Sequence, residues 1–397
     1  MRRRIAWVTA VGVALAAFLG GPSVALAQQS VKLGAGDTLT ISGFINATWF
    51  TNSGFFTFGN GQNAEYANAV QPATDKSYMD GDVRNTRLNF TFSAAPVLGK
   101  WSPKATIEAD FFGAFGGTGA PPFGDEQPQL RVRFAYVDLT NGRTTVRIGQ
   151  FWSPLFGEVP VSVTHLAFPL GYGATGMIGW RFPGIFVYHD LNPGKPTTAQ
   201  LVLSAQKNGG PDVGGGISSG AASAMPQLEA RLNFSHRKAN ASWSAYVVGH
   251  VDWKDTTAVG VAGNNLTGSG VEAGGNVTSG KFTIHGNVYT GKAMGQQFAH
   301  ITQQGNVKGW GAWVQGGYEF TPHWGGWLFY GTDHPDAANS PGLTGNYRSK
   351  NEDISGMLRF RAGRYQLGVE YFRANTTWAT AGKQKATQVA MSVMYTI

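Results

Sequence analysis

The chain contains no cysteine, so disulfides, thiolate nucleophiles and cysteine metal ligands play no part in it. Charged residues are scarce, at 14% of the chain. After residue 27 no stretch reaches the ~20 apolar residues that a membrane helix needs, which excludes a helical membrane protein. The eight histidines are scattered without metal-ligand spacing, and no Ser–His–acid constellation stands out. Gly171-Tyr172-Gly173-Ala174-Thr175-Gly176 satisfies G-x-G-x-x-G, but no helix follows it; its glycines read as turning points of a loop. The residues from Asp75 to Asp82 lack the full pattern of a calcium loop and read as a solvated loop. No catalytic residue, metal site, cofactor or nucleic-acid partner is expected.

What is present points outward from the cell. Arg2, Arg3 and Arg4 precede an apolar stretch, Ile5 to Leu19, and Ala25-Leu26-Ala27 fits a small-x-small cleavage pattern. Residues 1–27 therefore read as a signal peptide cleaved after Ala27. The segment carries three Arg and no acid, so the net charge of +8 falls to +5 in the mature chain. Residues 28–397 read as one domain. Glycine is abundant, at 56 residues against a usual ~7%, and aromatics make up 13%.

Alternating apolar and polar residues mark strands near 38–50, 83–94, 103–113, 129–139, 143–151, 176–189, 198–207, 226–236, 240–253, 268–278, 281–291, 308–320, 323–332, 353–361, 364–375 and 386–397. Links after the even-numbered strands are brief and those after the odd-numbered strands mostly long. That segregation predicts an all-β, sixteen-stranded antiparallel transmembrane barrel with short turns at one end and long loops at the other. Trp243 and Trp253 share the lipid-facing parity ten positions apart, which at ~3.3 Å per residue and ~40° tilt spans roughly 25 Å, the height of the apolar band.

The chain is organised around a hairpin, Leu130 to Gln150, and an aperiodic loop that follows it at about 152–175. A loop of that length has a natural place folded into a barrel lumen as a constriction, with Trp152, Phe156, Glu158 and His165 on it. Parity sets Leu88, Phe90, Phe92, Leu130, Val132, Phe134, Val146 and Ile148 toward lipid. It sets Arg87, Arg131, Arg133 and Arg147 inward, followed by Arg181, Arg231, Arg359 and Arg361, with Glu108 and Asp110 as inward counter-charges. Two readings of these arginines stand side by side. They brace the wall by pairing with Glu108 and Asp110, or their excess leaves an anion-attracting field in the lumen.

Four stretches carry a resemblance: Asn85-Thr86-Arg87-Leu88-Asn89-Phe90, Thr106-Ile107-Glu108-Ala109-Asp110-Phe111-Phe112-Gly113, Leu130 to Tyr136, and Ile148-Gly149-Gln150-Phe151-Trp152-Ser153. Over about residues 83–156 the chain resembles DcaP-like porins, which are similar in turn to the phosphate-selective porins O and P. The resemblance implies a homotrimer with an inward-folded third loop, set among outer-membrane lipid and lipopolysaccharide. It implies a diffusion channel in the bacterial outer membrane for small anionic solutes such as dicarboxylates or phosphate-like anions. The competing readings are a non-conducting structural or adhesive barrel and, further off, an outer-membrane hydrolase.

Overall fold

The computed structural model describes residues 29–34, 36–57, 65–73, 77–113, 128–238, 240–257 and 265–397. The signal segment 1–27 and nearly all of the expected 114–128 connection lie outside them. Among the described residues sixteen antiparallel strands close into a barrel. They are β1 (Thr38–Ser53), β2 (Ser77–Asp82 continuing as Arg87–Ser93), β3 (Ser102–Asp110), β4 (Arg131–Asn141), β5 (Thr144–Trp152), β6 (Arg181–Asp190), β7 (Thr197–Gln206) and β8 (Gln227–Arg237). The second half comprises β9 (Ala241–Asp255), β10 (Asn265–Ser279), β11 (Phe282–Lys292), β12 (Lys308–Glu319), β13 (Trp324–Pro335), β14 (Arg348–Ala362), β15 (Tyr365–Trp378) and β16 (Gly382–Thr396). Each strand pairs with its sequence neighbour, and β16 closes on β1 from Phe44↔Thr396 to Ser53↔Thr387. A short strand, Gln29–Lys32, pairs with β1 from Ile41 to Thr38, just past the point where β16 ends.

The alternation has the sense a membrane barrel needs. Val132, Ile148, Ile185, Leu203, Val247, Ile284 and Leu328 are exposed on the outer face, while Asn46, Gln227, Glu229, Gln315, Ser355 and Glu370 are buried. In water this distribution would be costly; with hydrocarbon outside it is the low-energy arrangement. The apolar core is correspondingly displaced into the barrel. Ala167, Phe168, Leu170, Tyr172 and Met177, from the connection after β5, pack with Phe112, Trp313, Phe329 and Phe372 of the wall and its edge.

Two expectations are corrected. Residues 77–82 are not a solvated loop but the outer half of β2, paired with β1 from Ser53 to Thr48; Tyr78-Met79-Asp80-Gly81 simply lacks the alternation that announces a strand. More consequentially, β3 and β4 slip register by one residue. Glu108 lies opposite Phe134 and Ala109 opposite Val132, so Arg133 is an extra residue, a β-bulge. A bulge sends two successive side chains to one side. Phe134, expected toward lipid, instead lies against Phe151 at 4.8 Å between ring centres. Beyond the bulge the parity is exchanged, so Ala135 and Val137 are outward and Tyr136 and Asp138 inward.

Candidate functional site

The arginines read from the sequence divide into three places. Five of them, on β2, β4, β5 and β6, converge beside the connection that follows β5. Arg131 forks onto Asp110, with Nε 2.9 Å from Oδ1 and Nη2 2.6 Å from Oδ2. Arg133 bridges both acids, Nε to Glu108 at 2.7 Å and Nη1 to Asp110 at 3.0 Å. Arg87 donates to the Leu166 carbonyl at 2.9 Å and stands 3.8 Å from Glu108. Arg147 forks onto Asp138 at 2.7 and 2.9 Å, and lies 3.8 and 3.9 Å from the ring centres of Tyr136 and Phe151. Arg181 lies against two indoles set nearly perpendicular to each other, 4.8 Å from Trp152 and 4.5 Å from Trp180. Its Nε and Nη1 are buried without a hydrogen-bond partner among the described residues.

The other three sit elsewhere. Arg231 on β8 donates to the carbonyls of Pro154 and Phe156 at 2.8 and 3.2 Å, holding the root of the loop from the adjoining wall. Arg359 and Arg361 share Glu319 at 2.7 and 3.2 Å, near the short-turn end and away from the loop. The reading of four arginines against two acids therefore needs amendment. Asp138 is a third carboxylate on this wall, and Lys104 stands 3.4 Å from it.

The loop itself runs from Ser153 to Trp180, between β5 and β6, and reaches across the interior. Trp152 stacks on Phe156 at 3.6 Å. Ser153 donates to Glu229 at 2.9 Å, and Glu158 accepts from Ser244 at 3.3 Å. Val161 exchanges two hydrogen bonds with the Gln315 amide, at 2.6 and 2.9 Å. Glu370 on β15 then accepts from Ser162 and Thr164, both at 2.7 Å, and from His165 Nδ1 at 2.5 Å. His165 is thus a buried tether. The break in β2 has a purpose here: Asn85, between its halves, donates to the Thr164 carbonyl at 2.6 Å and accepts from Ala167 N–H at 2.9 Å. On the return, Thr175 donates to Asp353 at 3.2 Å and Gly176 accepts from Asn287 at 2.8 Å. Gly176 has φ of 91°, and a Cβ there would stand 2.4 Å from the Ala312 nitrogen, so only glycine lets the loop return this close to the wall.

Sequence reasoning missed the far side of this arrangement. Glu229, Glu370 and Asp353 went unremarked as partners of the loop, because nothing in a single strand reveals that a distant loop supplies their donors. Glu65, which precedes a short strand at Tyr66–Ala67 on the loop side, was also missed. It is buried near Gly173, and burial, then the charge of Asp353, holds its carboxyl well above its ordinary value of 4.5. Because the folded-state value is raised, the folded state binds the proton more tightly, and stability declines as pH rises above that ordinary value. Glu65→Gln should therefore raise the melting temperature at pH 8 and leave it nearly unchanged at pH 4, followed by circular dichroism. An equal gain at both values would mean that ionisation of Glu65 is not the cause.

No protein-family model and no curated relative matches the chain in sequence. Solved structures do match in fold. The outer-membrane channel DcaP of Acinetobacter baumannii superposes with a TM-score of 0.69 and 19% identity, over 94% of this chain and 100% of that one. An anion-selective porin from Comamonas acidovorans gives 0.55 and 12% identity, over 91% and 100%. OmpT of Vibrio cholerae, an outer membrane protein solved in a trimer form, gives 0.53 and 11%, over 91% and 100%. The structural neighbours agree with the resemblance to DcaP-like porins carried by residues 83–156, and at these identities it is the fold that is shared.

Proposed function

We propose that the chain forms a water-filled channel in the bacterial outer membrane, as a homotrimer, and passes small solutes with a preference for anions such as dicarboxylates and phosphate-like ions. The observation that carries this reading is the unequal use of charge on the two sides of the loop. Beside the loop's root, Arg87, Arg131, Arg133, Arg147, Arg181 and Lys104 face three carboxylates, Glu108, Asp110 and Asp138. On the far side Glu370 and Glu229 accept from loop side chains, Asp353 accepts from Thr175, and Asp252 pairs with His250 and Lys254. Arg181, buried against Trp152 and Trp180 with Nε and Nη1 unpartnered among the described residues, adds a planar positive charge to this wall, and a positive field there favours a carboxylate or phosphate passing the loop. The names of the DcaP channel and of the anion-selective Comamonas porin are in keeping with it.

Planar-bilayer recording in a KCl gradient tests it. Wild-type channels should pass chloride in preference to potassium. A unit charge ~4 Å from the ion path in water is worth ~1 kcal/mol, so Arg181→Gln should lower the permeability ratio by up to about fivefold, and less at high salt. Cation preference in the wild type would overturn the anionic reading, and absence of any conductance would overturn the channel.

A further inference from the structure

The outer face of the barrel carries a cationic recess that no feature of the lumen accounts for. It is a cavity of about 1000 Å³ spanning β14, β15, β16 and β1 at their long-loop ends, with Lys350, Glu352, Arg373, Asn375, Lys383 and Lys385 on its walls. Register fixes which way these side chains point. Asp353, Ala374 and Ala386 are buried inward, so their neighbours Glu352, Arg373 and Lys385 project outward. Cross-strand pairing sets them in tiers: Ile354, Arg373, Thr387 and Ser53; then Glu352, Asn375 and Lys385; then Lys350, Thr377 and Lys383.

The tiers begin where the apolar band stops. Outward Tyr371, Tyr330 and Trp49 are exposed on the same face, and Tyr371 lies two residues short of Arg373 on β15. At ~3.3 Å per residue and ~40° tilt, the cations stand roughly 5 to 15 Å beyond the Tyr371 ring. That is the depth of the headgroup layer, not of hydrocarbon. Glu352 is already engaged, by Lys350 at 2.9 Å and by the Tyr330 hydroxyl at 3.0 Å. Arg373 has only the Asn375 amide oxygen, at 3.0 Å. Arg373, Lys383 and Lys385 thus have no carboxylate partner among the described residues.

We infer that this recess binds the phosphorylated headgroup of an outer-leaflet lipid, with the acyl chains lying along the apolar face below. Two lysines and an arginine at headgroup depth supply the charge, and the recess supplies room for more than one phosphate. The inference rests on the barrel's placement in the outer membrane and is independent of conduction, because Lys350, Arg373, Lys383 and Lys385 face away from the lumen.

Native mass spectrometry of the full barrel in detergent tests it, with bisphosphorylated lipid A and the same lipid after enzymatic removal of its phosphates as probes. Wild-type protein should retain the phosphorylated form about tenfold more than the dephosphorylated one, and excess inorganic phosphate should fail to displace it. R373Q/K383Q/K385Q should abolish the preference while keeping the single-channel conductance. Equal retention of the two lipids by the wild type overturns the inference without needing any variant, and leaves the channel reading untouched. Displacement by inorganic phosphate would make this a free-anion site and also overturn it. So would an unchanged preference in the folded triple variant, or a triple variant that separates the subunits while the lipid preference persists.

Discussion

Arg133→Ala should destabilise the barrel by about 3 kcal/mol, the low end of what removing one partner of a buried ion pair costs. The side chain is 3% exposed and is shared between Glu108 and Asp110. The loss does not reach the upper end because Arg131 keeps Asp110 in a fork and Arg87 remains 3.8 Å from Glu108. A urea titration followed by the heat-modifiable gel shift measures the effect. Arg361→Ala is the control: its side chain is 43% exposed, and exposed pairs contribute at most about 1 kcal/mol. If the two variants unfold together, the Arg133 cluster does not hold the wall.

Detaching the loop should change the channel more than any single charge does. Glu370 accepts three loop side-chain donors and Gln315 exchanges two hydrogen bonds with Val161. Hydrogen bonds to a charged group contribute ~1.5–3 kcal/mol each, so E370A/Q315A removes most of what pins the middle of the loop. Single-channel conductance should rise about twofold or more as the interior widens, and loop cleavage by added protease should accelerate. A second route avoids the hydrogen bonds altogether. At Gly368 an added Cβ would stand 2.1 Å from Val163 Cγ2, so Gly368→Val pushes the loop off the wall sterically and should act in the same direction. Unchanged conductance in both would place the solute path away from this part of the loop.

Strand identity and order were legible because a period of two is written locally, residue by residue, and the difference between short and long links orders the strands. The lumen was legible only up to the first irregularity. Arg87, Arg131 and Arg147 point inward as alternation predicts, but Arg133 and Phe134 occupy a bulge, and a single extra residue exchanges the faces of everything after it. Asp138 was lost for that reason, and with it the partner of Arg147. A pattern such as Arg133-Phe134-Ala135-Tyr136-Val137-Asp138 fits either parity, and cross-strand register alone decides. The loop was legible as a loop, from its glycines and lack of period. Its anchors were not, since Asn85, Gln315 and Glu370 are separated from it by up to about two hundred residues and look like ordinary lumen polar positions.

The short strand Gln29–Lys32 has a consequence for how the cylinder shuts. Strand β16 runs out at Thr396 opposite Phe44, and Ile397 N–H reaches the Gly43 carbonyl at 2.9 Å. Below that point the stagger of a tilted barrel leaves the first residues of β1 with a bare rim of amides. Gln29 to Lys32 fold back, through a turn in which Leu33 N–H meets the Asp37 carbonyl at 2.9 Å, and continue the line of β16 along the same rim. The seam is therefore stitched by two segments, β16 from one side and Gln29–Lys32 from the other. Neither segment alone satisfies β1, and an open rim of amides is a template for another chain's strand. Gln29–Lys32 therefore covers the part of β1 that the last strand does not reach.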